Sequence, residues 1–326
     1  MFKPMRAQLG LGMAALGRPG YVTLDHARDL GGEYDPSAME SHAHEVLDAA
    51  YESGIRYVDA ARSYGKAEDF VASWLKARKI EPGEITIASK WGYTYTAGWS
   101  TSAAQHEVKD HSRSTFERQL AESTERLGEY LSLYQIHSVT GDGKTLDDAP
   151  LIDAIAEMKE SGIGAGLTVS GAGQYIAIRK SLDCYRDGVR VFDSVQATWN
   201  LFERAAGSAL SDAHAVGMQV VVKEVLANGR LTHANQSADE LFAPRLLRLR
   251  EIAQSRGTTI ETLAFAGALS RPWADVVLSG AATVGQIEST LGAVNFDFDD
   301  ELEDRVRACS VASTEYWRAR SNFGWN

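Results

Sequence analysis

The chain reads as an α/β protein, a (β/α)8 TIM barrel spanning residues 1–326 as one domain, with an extra C-terminal helix and βα-loop insertions over the barrel mouth. Three observations predict this. A short apolar run, a loop and a longer amphipathic stretch recur until eight strand–helix units fill the 326 residues. The apolar runs are near-continuous instead of alternating, as expected of parallel strands covered on both sides. No low-complexity linker interrupts the sequence, and eight such units in this length fit a closed barrel better than an open sheet.

The first strand is predicted near residues 9–13 and the second at 55–59 (IRYVD), followed by a helix-period segment over 66–79. Residues 85–90 (ITIASK) lead through a long loop to a helix over 112–127, and 133–137 (LYQIH) precede a helix over 150–161. The remaining units pair 166–170 with 175–185, 194–197 with 205–215, 220–223 with 240–257, and 275–279 with 285–293. Gly54, Gly162 and Gly217 follow helical stretches and suit C-cap positions. A last helix over 299–317 and the tail to 326 are expected to pack over the barrel, where Trp317, Phe323 and Trp325 can close the mouth or bury in a dimer contact.

Composition narrows the function. With 44% hydrophobic and 24% charged residues, the chain has the make-up of a soluble globular protein. A net charge of −11 argues against nucleic acid as a partner, since a phosphate backbone would be repelled. No window approaches the apolar length of a membrane span, so no membrane partner is expected. The stretch after Lys3 and Arg6 is short and glycine-punctuated, a strand and not a secretory segment. Cys184 and Cys309 are far apart, without metal-binding spacing, and fit buried reduced thiols of a cytoplasmic protein; no metal is expected. Oligomeric state stays open.

The chemistry lies at the strand ends, which converge on one face of such a barrel. Asp59 ends the second strand, Tyr64 follows in the loop, Lys90 ends the third and His137 the fourth. Ionisable residues closing apolar strands are hard to explain by packing, because a buried charge is costly unless paired. Pairing Asp59 with Lys90 would hold an ammonium near the Tyr64 hydroxyl, favour the phenolate and lower its pKa. Tyr64 then serves as general acid or base at a carbonyl or alcohol oxygen, and His137 donates a hydrogen bond to the same oxygen.

The segments VDAARSYG (58–65), ASKWGY (88–93) and LYQIHS (133–138) resemble the catalytic segments of aldo-keto reductases, and the resemblance runs from LGLGMAALG (9–17) to SGAATVGQIEST (279–290). It implies that Asp59, Tyr64, Lys90 and His137 match the four catalytic positions. It implies hydride transfer between NAD(P)H and a small aldehyde, ketone, alcohol or sugar. It places Ser170, Gln196 and Lys223 at the nicotinamide, Leu226, Asn228, Gly229 and Arg230 along the pyrophosphate, and Gly280 and Gln286 at the adenosine end. Three departures stand out. Gly171 replaces the asparagine that commonly follows Ser170, and Lys223 replaces the aromatic that usually stacks on the nicotinamide. The third is that residues 272–304 contain no Lys or Arg; reading a 2′-phosphate needs a cation, so NAD is favoured over NADP, unless a remote arginine supplies the charge.

Other motifs read as bland. Gly10-x-Gly12 is followed at once by Gly17-Arg-Pro-Gly20 and opens no helix, and Gly143-Lys144-Thr145 lacks the first glycine of a phosphate loop. Tyr64 has Glu68, not Lys, four residues on, which excludes the short-chain dehydrogenase pattern. His42 and His44 fit a solvated helix face, and the acidic run 297–304 a helix N-terminus. In the loop 91–111, Trp91, Tyr93 and Tyr95 are candidate substrate-binding residues, with Trp91 also placed to pack behind Lys90. Two further functions remain: a non-catalytic barrel subunit that binds cofactor while regulating a channel, and an NAD-dependent sugar or alcohol dehydrogenase running mainly in the oxidative direction. No appended N-terminal inactivation segment is seen, which disfavours the first.

Overall fold

The structure is a computed structural model and describes residues 7–24, 26–235 and 240–324. Eight parallel strands close into a barrel in chain order. They are β1 (Gln8–Gly12), β2 (Tyr57–Asp59), β3 (Thr86–Trp91), β4 (Leu131–Val139), β5 (Gly164–Val169), β6 (Ser194–Thr198), β7 (Gln219–Lys223) and β8 (Val276–Ser279). Closure places Gln8 of β1 opposite Val276 of β8. The strand interiors are almost fully buried, Val220, Val221 and Val222 among them, which is why they read as unbroken apolar runs.

Helices α1 (Pro36–Glu52), α2 (Ala67–Arg78), α3 (Arg113–Leu127), α4 (Ala149–Glu160), α5 (Gln174–Leu182) and α6 (Gly207–Ala215) follow the first six strands. Two helices, α7 (Ala243–Ser255) and α8 (Ile260–Leu269), follow β7, and α9 (Val284–Leu291) follows β8. Side-chain caps start several of them: Asp35 accepts from Ser37 N and Ala38 N at α1, and Ser112 from Thr115 N at α3. Gly54, Gly162 and Gly217 all take left-handed φ just past their helices.

Three expectations change. Every residue of α8 is buried, so it carries no amphipathic period and was not anticipated. The stretch 299–317 is two helices, α10 (Asp300–Arg307) and α11 (Ser313–Ser321). Between them Val311 N leaves the helical ladder to donate to Phe202 O at 2.8 Å. The helix over 175–185 stops at Leu182, and Tyr185–Arg186 pairs with Val189–Arg190 as a small hairpin. The loop 91–111 is built on a second hairpin, Tyr93–Tyr95 against Glu107–Lys109. Among the described residues no helix is long and apolar enough to cross a membrane. Cys184 and Cys309 are buried and unpaired.

Candidate active site

The ends of β2, β3 and β4 bring the four predicted residues together. Lys90 Nζ donates to Asp59 Oδ2 at 2.5 Å and to Ala60 O at 2.8 Å, and stands 3.4 Å from the Tyr64 hydroxyl. The second carboxylate oxygen of Asp59 accepts from Gln135 Nε2 at 3.1 Å and Gln196 Nε2 at 3.0 Å. Asp59 is therefore satisfied on both oxygens, as a buried charge must be. The loop carrying Tyr64 is stitched to β3 by Ala60 N→Ala88 O and Arg62 N→Lys90 O.

The Tyr64 ring is enclosed by cations and an imidazole. Lys90 Nζ lies 4.7 Å and Arg18 Cζ 5.1 Å from its centroid, and the His137 ring meets it edge-on at 5.5 Å. The Tyr93 ring also meets His137, with centroids 5.0 Å apart. The main-chain oxygen of His137 accepts from His111 Nε2 at 2.8 Å, while its own Nδ1 is buried with no partner among the described residues.

Burial governs the protonation states. It pushes the Tyr64 phenol well above its ordinary range, the Asp59 charge adds to this, and Arg18 opposes it. The expectation that Lys90 lowers the Tyr64 pKa is thus corrected: in the resting site desolvation wins and the hydroxyl stays protonated. Burial also lowers the Lys90 pKa against the pull of Asp59. His137 is held far below the usual imidazole value by burial and then by the positive charges of Lys90, Lys223 and Arg18, so it is neutral.

Tyr64, Asp59 and His137 open onto a cavity of about 750 Å3 that runs past the ends of β5 to β8 to the start of α9. Ser170, Gln196, Lys223 and Leu226 line it, as do Asn228, Gly229, Gly280 and Gln286. Arg230 does not. Its guanidinium is sandwiched 4.5 Å from the Phe242 ring and 4.0 Å from Phe323, and donates to Ala319 O. Of the loop aromatics Tyr93 lines the cavity. Trp91, 1% exposed, packs behind the site on Phe116 and His111, and Tyr95 is absent from the lining. Trp317 and Phe323 of the C-terminal region line the cavity, and Trp325 falls outside the described residues.

Sequence reasoning missed several residues in and behind the cavity wall. Arg18 donates to Ser63 O and to Glu107 Oε2 at 2.9 Å, tying the β1 loop to the hairpin. Glu224 accepts from Arg320 of α11 at 3.1 Å. Asp29, in a one-turn helix over His26–Asp29, accepts from Gln286 Nε2 at 2.9 Å and bridges the far end. Gln135 was findable: two residues before His137, it shares the inward face of β4. Ser138, Glu224, Ala227 and Asn228 hold φ of 50–58° at or beside the rim, strain of the kind concentrated where ligands bind. The decoy histidines are occupied, His42 by Ala282 O and His44 by Phe70 O and Ser73.

A sequence model described as "Aldo/keto reductase family" matches residues 8–311. Among characterised sequences, the chain is 25% identical to "Aldo-keto reductase str7" of Strobilurus tenacellus, over 93% of this chain and 91% of that one. It is 23% identical to "Pyridoxal reductase, chloroplastic" of Arabidopsis thaliana, over 93% and 88%. Among solved structures, the holo form of aldo-keto reductase AKR11C1 from Bacillus halodurans superposes with a TM-score of 0.72 at 22% identity, covering 94% of this chain and 93% of that one. The glycerol dehydrogenase AKR11B4 from Gluconobacter oxydans gives 0.70 at 21% identity, over 93% and 91%.

Proposed function

The chain belongs to the aldo/keto reductase family, oxidoreductases acting on carbonyl and alcohol compounds that generally use nicotinamide cofactors, and we propose that in this member Tyr64 is the proton donor and acceptor of an NAD(P)-dependent reaction in one barrel domain. The observation that carries the reading is the chain Asp59–Lys90–Tyr64, with His137 against the same ring, opening onto a cavity that extends past the ends of β5 to β8.

The cavity fits a dinucleotide. Asn228 Oδ1 is buried without a partner among the described residues and lines the wall. Gly280 and Gly285 border it with open space where a side chain would project, so a Cβ there would fill the cradle. The bound cofactor supplies or accepts the hydride. In reduction, the neutral Tyr64 hydroxyl passes its proton to the carbonyl oxygen, and the Lys90 ammonium stabilises the charge left on Tyr64. His137, neutral, donates to the same oxygen and orients the substrate. In oxidation the proton returns to Tyr64.

Ser170 and Gln196 are assigned to the nicotinamide end, Leu226, Asn228 and Gly229 to the pyrophosphate, and Gly280 and Gln286 to adenosine. The lean to NAD is supported by the absence of Lys and Arg from 272–304 and by the Asp29 carboxylate on Gln286, a group that suits ribose hydroxyls and repels a 2′-phosphate. Arg28, on the same wall, is the remote arginine that could oppose this. Tyr93 is assigned to substrate. The test is titration with NADH and NADPH by quenching of the seven tryptophans, then turnover on a panel of aldehydes, ketones and alcohols that includes pyridoxal and glycerol. NADH is expected to bind more tightly. Tighter binding of NADPH would overturn the NAD assignment, and turnover undiminished in Tyr64→Phe would overturn the role of Tyr64.

A further inference from the structure

Charges at the reactive end of the cavity do not balance. Among the described residues it holds four cationic side chains, Arg18, Lys90, Lys223 and Arg320, and three carboxylates, Asp59, Glu107 and Glu224. Each carboxylate has its own cation: Asp59 takes Lys90 at 2.5 Å, Glu107 takes Arg18 at 2.9 Å and Glu224 takes Arg320 at 3.1 Å. Lys223, at the end of β7, is left over. Its side chain is half-buried, lines the cavity and makes no hydrogen bond or ion pair with the described residues. It lines the same cavity as Tyr64 and His137; burial lowers its pKa against the attraction of Glu224, and its charge in turn holds down the pKa of His137. In a chain of net charge −11, one cation in excess here, attracted only by carboxylates that already hold another cation, is not a background property. A shielded, unpartnered ammonium is costly, and such costs persist where they serve function.

Resting on the nicotinamide-dependent reading above, we propose that Lys223 makes the site discriminate between the two redox states of its cofactor, favouring the reduced form. The nicotinamide ring must lie at this end, because it exchanges hydride with the carbon whose oxygen meets Tyr64. That ring is cationic when oxidised and neutral when reduced. The phosphates carry the same charge in both states, so their contacts cancel in the comparison. What remains is repulsion between the Lys223 ammonium and the oxidised ring, which at a separation of several ångströms and an effective dielectric near 20 is worth roughly tenfold or more in affinity. The balanced reaction is alcohol plus oxidised cofactor giving carbonyl, reduced cofactor and a proton. Tighter holding of the reduced form moves the equilibrium between the bound species towards the carbonyl by the same factor.

The experiment measures dissociation constants for NADH, NAD⁺, NADPH and NADP⁺ in the wild type, Lys223→Met and Lys223→Arg, by tryptophan quenching and calorimetry. Within the better-bound pair, the wild type is expected to favour the reduced form by about tenfold or more, Lys223→Met to lose about tenfold of that ratio, and Lys223→Arg to keep it. A ratio in Lys223→Met within twofold of the wild type, even with both forms weakened, overturns the proposal alone. Failure of the folded wild type to bind any of the four overturns the dinucleotide reading and this proposal with it.

Discussion

Lys90→Met separates what the buried pair does for stability from what it does for chemistry. Lys90 is 1% exposed and Asp59 3%, so the substitution strands a carboxylate in the barrel interior. Breaking a buried pair from one side costs about 3–5 kcal/mol. Gln135 and Gln196 still donate to Oδ1 of Asp59, which puts the expected loss at the low end, about 3 kcal/mol. For a chain of this length the unfolding entropy is about 0.7 kcal/mol/K, so the melting temperature should fall by about 4 °C. Turnover should fall by roughly 10²–10⁴-fold, the range for losing assistance to a proton transfer. Adding Asp59→Leu removes the stranded charge and should return part of the lost stability, because an apolar pair of similar volume is tolerated where a lone charge is not, while the buried amides of Gln135 and Gln196 lose their acceptor. Activity should stay lost. The assay is a thermal melt beside steady-state kinetics for the two variants. If Lys90→Met melts within 1 °C of the wild type, or the double variant recovers turnover, the reasoning fails.

Three other perturbations address the site. Tyr64→Phe should lower turnover by at least about 100-fold while cofactor dissociation constants stay within about twofold; kinetics and titration on the same preparation check both. His111, bonded to His137 O and Thr145, has its pKa lowered to about 4 by burial and by the Lys109 charge. Between that value and the usual 6.5 the unfolded chain binds the extra proton, so the wild type should lose stability as pH falls through this window. His111→Gln should lose less over the same range, and parallel melting curves from pH 6.5 to 4 would refute the assignment. At Gly17 an added Cβ would sit 2.3 Å from Tyr64 O and 2.5 Å from Ala67 Cβ, with the Ala67 Cα 2.9 Å away. Gly17→Ala should therefore cost about 1–3 kcal/mol and reduce turnover by displacing the Tyr64 loop; a melt and activity both unchanged would contradict this.

That Asp59, Tyr64, Lys90 and His137 meet in one place was legible because packing does not account for a charged or polar group at the end of an apolar strand. The repeat of strand and helix was legible for a related reason, since half-buried helices keep their period. Where burial is complete the signal disappears, as in α8, whose ten residues are all buried. Long-range partners were also invisible. Glu107 meets Arg18 across 89 residues, Arg320 meets Glu224 across 96 and Gln286 meets Asp29 across 257. Arg230 misled for the same reason: its charge pointed to phosphate, but Phe323, 93 positions later in the sequence, completes an aromatic sandwich around it.

The contact between Lys90 and Tyr64 reconciles a raised Tyr64 pKa with a catalytic role. At 3.4 Å the ammonium is a loose neighbour of the neutral hydroxyl, because its short bond goes to Asp59. A cation gains little from a neutral phenol and much from a phenolate. In the proposed reaction Tyr64 gives up its proton, charge develops on the oxygen facing Lys90, and the attraction grows while the proton is in flight. The stabilisation is therefore small in the ground state and large in the transition state, the differential that raises a rate rather than an affinity. Asp59 sets the balance. By holding the ammonium it keeps Lys90 protonated in an interior that would otherwise neutralise it, and by raising the Tyr64 pKa it keeps the acid loaded until a carbonyl oxygen arrives. Asp59→Asn would then weaken both effects at once. It is expected to lower turnover by about tenfold or more and to bring the Tyr64 pKa down, read as an acid shift of the limb where ionisation of Tyr64 ends the reductive rate; a limb unmoved at equal stability would show that Asp59 only anchors Lys90.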